Sequence, residues 1–256
     1  MLVGFVEWPD ELKPNGREMD QIRRTVADAK LDMLVTNELP FGAWIARAEQ
    51  FDRDVAQQSI DLHEEGLAAL SALSVPAVIT SRPIWKADRL CNEAVSVEDG
   101  VVKVLHRKRY FPAEPGWFES SWYVPGEDEF PIAEVGGMRV GTLLCTELMF
   151  NERARRYGRA KTSIIVVPRA TGSAAMWRVA GQMAAIVSGS YVVSSNRVST
   201  SGAFRFAGEG FAYDPSGKLI GMTDQIDSLA VIDVDPLFVE RQQQSYPCYV
   251  SDMHGG

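Results

Sequence analysis

Short apolar runs rich in β-branched residues recur along this chain in two groups, each interleaved with helical stretches. That grouping limits the folds open to it. The first group predicts strands over Leu2–Val6, Leu31–Val35, Ala77–Thr80, Ala94–Val97 and Val101–Leu105, with helices over Arg17–Lys30 and Asp54–Leu73. In the first helix Met19, Ile22, Val26 and Ala29 share one face. The second group predicts strands over Phe130–Val135, Met138–Cys145, Ser163–Pro168, Tyr191–Asn196, Gly208–Tyr213, Lys218–Met222 and Leu229–Val234. Its helices are Glu152–Arg159, with Asn151 as cap, and the small-residue stretch Ala174–Val187. Glu98-Asp99-Gly100 and Gly136-Gly137 read as hairpin turns. Two such halves suit two sheets packed face to face with helices outside, although periodicity alone does not separate this from other α/β layouts.

At 256 residues and 46% apolar content the chain can bury a sizeable core. One domain over residues 1–256 is expected, with a polar, irregular tail from about Pro236. No stretch approaches the roughly 18 apolar residues of a membrane span, so no membrane is expected as a partner. The start, MLVGFVEWPD, reads as a first strand and not as a signal peptide. A net charge of −8 argues against a nucleic-acid partner. Three widely spaced cysteines make no disulfide framework and fit a reduced, cytoplasmic setting.

The chemistry concentrates at strand exits. Cys145 ends an apolar run, is followed at once by Thr146 and Glu147, and precedes a helix start. Ligands in α/β sheets bind beyond the carboxyl ends of strands, and a helix amino terminus favours thiolate over thiol. A free cysteine is also often a small core residue, so this stretch alone leaves both readings open. Glu38 lies just past Leu31–Val35, and Lys108 just past Val101–Leu105. A carboxylate, an ammonium and a thiol at three strand exits can serve as base, electrostatic stabiliser and nucleophile. Read without that company, Lys108 is one charge in the basic run His106–Arg109. The aromatic loop Tyr110–Asp128, with Trp117 in it, follows Lys108 directly and is expected to line a pocket mouth. His63 reads as an exposed helix residue, Cys91 as packing at a strand entry, and Cys248 and His254 have no chemical company. The grouped spacing of a metal site is missing, so no metal or cofactor is expected.

With Glu38 in TNELPF, Lys108 in HRKRYF and Cys145 in GTLLCTE, the chain resembles the nitrilase, or carbon–nitrogen hydrolase, superfamily over nearly its whole length. The resemblance implies an αββα sandwich and a Glu38–Lys108–Cys145 triad acting through a thioester. It also implies a second glutamate shortly after the lysine, assigned to Glu114 with Glu119 as competitor. Oxyanion stabilisation falls to Lys108 and a backbone N–H near Cys145, that of Thr146. The implied substrate is a small-molecule amide, with a nitrile as alternative; true nitrilases carry Trp where Thr146 stands. A silent binding protein on the same fold is the reading from another class. Arg109, Arg169 and Arg197 are candidates to grip a substrate carboxylate, and Arg169 is taken as the substrate-binding choice. Family members commonly dimerise through helices near the cysteine; Ala174–Val187 suits such a contact in a homodimer or higher homo-oligomer, and suits internal packing equally. Two departures bear on subunit contacts and the pocket floor: Gly210 replaces a serine, and Ser188-Gly189 replaces a polar pair.

Overall fold

The computed structural model describes residues 1–126, 130–199 and 205–251. The chain opens with β1 (Leu2–Pro9), α1 (Arg17–Ala29), β2 (Met33–Val35), α2 (Arg53–Ser71) and β3 (Ala77–Lys86). β1, β2 and β3 are parallel neighbours, as helical crossovers require. β4 (Arg89–Glu98) and β5 (Val101–Arg107) then extend the sheet as antiparallel hairpins. The β4–β5 turn places Asp99 and Gly100 at φ 50° and 76°, the two left-handed residues of a tight hairpin.

After α3 (Glu119–Trp122), the hairpin β6 (Ile132–Val135) and β7 (Met138–Thr142) leads through α4 (Asn151–Arg159), β8 (Ile164–Pro168) and α5 (Met176–Ser188) to β9 (Tyr191–Val198). β7, β8 and β9 are again parallel. β10 (Phe211–Tyr213) and β11 (Leu219–Met222) add to β9, while β12 (Leu229–Asp233) returns to β1. α6 (Pro236–Gln243) follows. The path runs β5-β4-β3-β2-β1-β9-β8-β7-β6. β1 joins the halves: Val3–Phe5 pair with β2, whereas Glu7–Pro9 pair with Asn196–Val198 of β9.

Alternation along the strands assigns the layers. Val3, Phe5, Val35 and Ile79 of the first sheet meet Val140, Ile164, Val166 and Val193 of the second in a shared core. The residues between them point outward. Val6, Leu34 and Val78 pack against Met19 and Val26 of α1 and Leu67 and Leu70 of α2. Leu143, Ile165 and Val192 pack against Tyr157 of α4 and Ala180 and Ala184 of α5. The result is the αββα sandwich.

Several boundaries differ from the pattern reading. β3 and β4 pair over ten residues each, so Cys91 lies inside a strand, fully buried. Asn151 is the first residue of α4 and not its cap; a 3₁₀ turn, Cys145–Met149, fills the interval after β7. His63 is buried: its Nε2 accepts the Phe41 N–H, because the facing loop after β2 needs an acceptor there. The tail contains α6, whose first turn is capped by Asp235 and which buries Val239. The aromatic loop contains α3; its end, Asp128, and His254 lie outside the described residues. Among the described residues no helix is long and apolar enough to cross a membrane.

Candidate active site

Glu38, Lys108 and Cys145 leave β2, β5 and β7 on the same side of the sandwich, and all three are buried. Glu38 Oε1 accepts from Lys108 Nζ at 2.7 Å and from Asn92 Nδ2 at 2.8 Å. The Glu38 backbone is held too: its N–H donates to Arg169 O at 3.1 Å, and its carbonyl accepts Arg197 Nε at 3.2 Å. The Arg197 guanidinium also binds Asp10 and the carbonyls of Leu39 and Gly42, which locks the loop carrying the carboxylate.

Lys108 Nζ makes a second ion pair, 2.6 Å to Glu119 Oε2. Glu114 is exposed, and its backbone closes a tight turn on Trp117 through a pair of N–H···O bonds. That turn, with Gly116 at φ 91°, sends the chain back through α3, so Glu119 and not Glu114 reaches the ammonium. Counting along the loop could not reveal the reversal. Burial pulls the Lys108 pKa down, but Glu119 and Glu38 outweigh it and hold the group well above its ordinary value. Glu119 is pushed up to about 8, by burial first, with Lys108 opposing and Glu38 reinforcing. Glu119 thus keeps its proton at neutral pH.

Cys145 sits at φ 52°, a left-handed conformation that is unfavourable for a residue with a side chain and that clusters at functional sites. Its thiol is pushed upward in pKa by burial and then by the Glu38 charge, with Lys108 opposing. The helix-start argument for a ready thiolate is therefore overridden, and the resting group is a thiol beside a carboxylate.

Glu147 holds the turn in place. Its Oε2 accepts from Leu144 N and from His106 Nε2, both at 2.8 Å, and its Oε1 accepts from Arg109 N at 2.8 Å. One buried carboxylate thereby ties the residue before Cys145 to the residue after Lys108. Glu147 was read only as part of the GTLLCTE motif, without this bracing role, and the parts played by His106 and Asn92 escaped the sequence reading. Their only signal was polarity at positions where the alternation asks for core.

Thr146 follows Cys145 on the 3₁₀ turn, half-buried. Trp117 Nε1 donates to Ala170 O at 3.0 Å, and the Ala170 backbone itself bonds the Cys145 sulfur. Trp117 and Phe111 flank an apolar cluster of Leu39, Trp44, Trp122, Tyr123, Ala170 and Phe206 beside the polar centre. The Arg169 guanidinium is turned to Ser194 Oγ (2.6 Å), Thr171 Oγ1 (3.0 Å) and Glu209 O (2.7 Å) and lies over the Phe211 ring. Its nitrogens are engaged by the scaffold, and it serves Glu38 through its carbonyl. A Cβ at Gly210 would come within 2.9 Å of Ser194 O and Thr223 Oγ1, which is why no serine stands there. Gly189, at φ 63°, caps α5 in the left-handed conformation. Among the described residues no group of three or more His, Cys, Asp and Glu side chains is placed to hold a metal ion.

The model of the carbon–nitrogen hydrolase family matches residues 18–242. A Pseudomonas protegens protein described as "Hydrolase in pqqF 5'region" is 24% identical over 89% of this chain and 79% of its own. N-carbamoylputrescine amidase of Arabidopsis thaliana is 24% identical over 60% of this chain, and the match spans 57% of that enzyme's length. In fold the chain is similar to a carbon–nitrogen hydrolase from Helicobacter pylori G27, with TM-score 0.84 and 21% identity over 97% of this chain and 94% of that one. An amidase from Nesterenkonia sp. superposes with TM-score 0.77 and 20% identity, covering 94% and 92%. Cys145 is in a position typical for the catalytic cysteine of the family. The chain belongs to the carbon–nitrogen hydrolase family, enzymes acting on carbon–nitrogen bonds other than peptide bonds, in its nitrilase-superfamily fold.

Proposed function

We propose that the chain is a cysteine amidase that hydrolyses a small amide, with Glu38, Lys108, Cys145 and Glu119 as its working groups. The observation that carries this reading is the buried Glu38–Lys108–Glu119 cluster beside Cys145. Glu38 Oε2 has no partner among the described residues and is the atom that takes the Cys145 proton. The sulfur then attacks the amide carbon, and the carbonyl π pair moves onto oxygen. Lys108 and the Thr146 N–H stabilise that oxyanion. As the tetrahedral intermediate collapses, Glu119, neutral at pH 7, protonates the leaving nitrogen; the C–N bond breaks to leave a thioester and ammonia or an amine. Glu38 passes its proton on to ionised Glu119, then deprotonates the water that attacks the thioester; the C–S bond breaks, Glu38 returns that proton to the sulfur, and the free thiol and a carboxylic acid result. Amidase relatives, N-carbamoylputrescine amidase and a Francisella tularensis citrullinase among them, support an amide or carbamoyl substrate.

The same reading takes the enzyme as a homodimer. Met176, Val179 and Met183 are exposed along one face of α5, an apolar stripe on the small-residue helix that the family resemblance marks for subunit contact.

The test is ammonia release from a panel of primary amides, N-carbamoyl compounds and matched nitriles, with wild type and Cys145→Ala. Turnover of an amide by wild type and none by Cys145→Ala, at equal thermal stability, is the expected result. A preference for the matched nitrile, or comparable turnover by Cys145→Ala, overturns it.

A further inference from the structure

Tyr123 closes α3, with its backbone held on two sides and its ring stacked on a neighbour. Its N–H donates to Glu119 O at 2.9 Å, and its backbone bridges to Leu90 of β4. The ring stacks on Phe111 at 5.9 Å between centroids and 15° between planes. Lys108 Nζ lies 5.7 Å from the centre of that same Phe111 ring. The Tyr123 side chain is thus anchored against the residues that carry the polar centre.

Its hydroxyl is buried and has no hydrogen-bond partner among the described residues. Buried tyrosine hydroxyls ordinarily find one. Glu119 Oε1 and Glu38 Oε2 are bare in the same way. Besides burial, the charges acting most strongly on Tyr123 are those of Glu119 and Glu38. Both influences keep the phenol neutral, able to donate and to accept. Packing alone gives no reason for the oxygen: phenylalanine would keep the Phe111 stack and remove an unsatisfied polar atom.

We propose that Tyr123 is a substrate-contacting residue whose hydroxyl accepts an N–H of a primary amide on the Glu119 side of the site. The inference rests on the amidase reading above. Lys108 and the Thr146 N–H are donors and suit the carbonyl oxygen. The amide nitrogen brings N–H donors and needs acceptors, which the bare Tyr123 Oη supplies from the residue that closes the helix begun by Glu119. A nitrile carries no N–H and gains nothing from this contact, so Tyr123 bears on selectivity as well as rate.

The test compares Tyr123→Phe with wild type on the primary amide that wild type hydrolyses best, together with the thermal midpoint of both proteins. The expected result is a loss of about tenfold or more in kcat/KM with the midpoint unchanged or raised, since the substitution removes a bare buried hydroxyl. A kcat/KM within about twofold of wild type overturns the inference, as does a loss that comes with a lowered midpoint, which marks the hydroxyl as structural. If wild type hydrolyses no amide, the amidase reading fails and this inference with it. If wild type is active and Tyr123→Phe is equally active, only the inference fails.

Discussion

Glu119 Oε2 lies 2.6 Å from Lys108 Nζ, with both side chains closed off from solvent. The lysine therefore answers to two carboxylates, and Glu119 is the one that retains a proton, its pKa raised to about 8. Below pH 8 it is a neutral acid able to protonate the leaving nitrogen; above pH 8 it is ionised and cannot. The kcat–pH profile should fall on an alkaline limb near pH 8. Glu119→Gln should lower kcat by a factor on the order of 100 and abolish that limb. An unchanged limb in Glu119→Gln assigns it to another group.

Glu147 is a brace between the turn of Cys145 and the exit of β5. Glutamine in its place offers a single acceptor oxygen to three donors, Leu144 N, Arg109 N and His106 Nε2. Glu147→Ala should cost about 3 kcal/mol in chemical denaturation. Glu147→Gln should lower kcat by a factor on the order of 10 while leaving KM close to wild type, because it shifts the nucleophile and not the pocket walls. A change confined to KM would place Glu147 in substrate binding instead.

His63 gives the fold an acid-sensitive point. Burial lowers its pKa to about 4, and the neutral ring accepts the Phe41 N–H. Above pH 6.5 the imidazole is neutral whether the chain is folded or unfolded. As pH falls from 6.5 toward 4 the unfolded chain takes up the proton first, so stability declines over that window, by on the order of 3 kcal/mol in all. Denaturant midpoints across that range should show a shallower slope in His63→Gln. An equal slope in both proteins would locate the sensitivity elsewhere.

The apolar stripe on α5 predicts the assembly. Val179→Asp puts a charge on a position that is 63% exposed in the single chain, so it should leave the monomer folded and shift sedimentation from dimer to monomer. A wild type that sediments as a monomer, or a Val179→Asp dimer, removes α5 as the interface.

The sequence by itself determined which way the strand side chains point and offered Glu38, Lys108 and Cys145 as candidates at strand exits, with the layer order and their joint role supplied by the family resemblance. Alternation in runs such as Ile164–Pro168 fixes which side chains face the sheet-to-sheet core and which face a helix, because the strand period leaves no third choice. Glu38, Lys108 and Cys145 were legible as candidates because each follows a strand end, and β2, β5 and β7 deliver those exits to one side, β5 regaining the direction of β3 through two antiparallel pairings. Contacts set by loops were decided only in three dimensions. The Glu114–Trp117 turn reverses the chain and hands the lysine to Glu119, a choice made by backbone hydrogen bonds and not by spacing. Arg169 is, from sequence, one of three arginine candidates for a substrate carboxylate, and only the packing shows Ser194, Thr171 and Glu209 occupying its guanidinium. The state of Cys145 was hidden for the same reason. A helix start argues for thiolate, but burial and the Glu38 charge reverse the sign, and both depend on residues far off in the chain. Local pattern governs which way a side chain points; its partners and its dielectric surroundings come from the packing of distant segments.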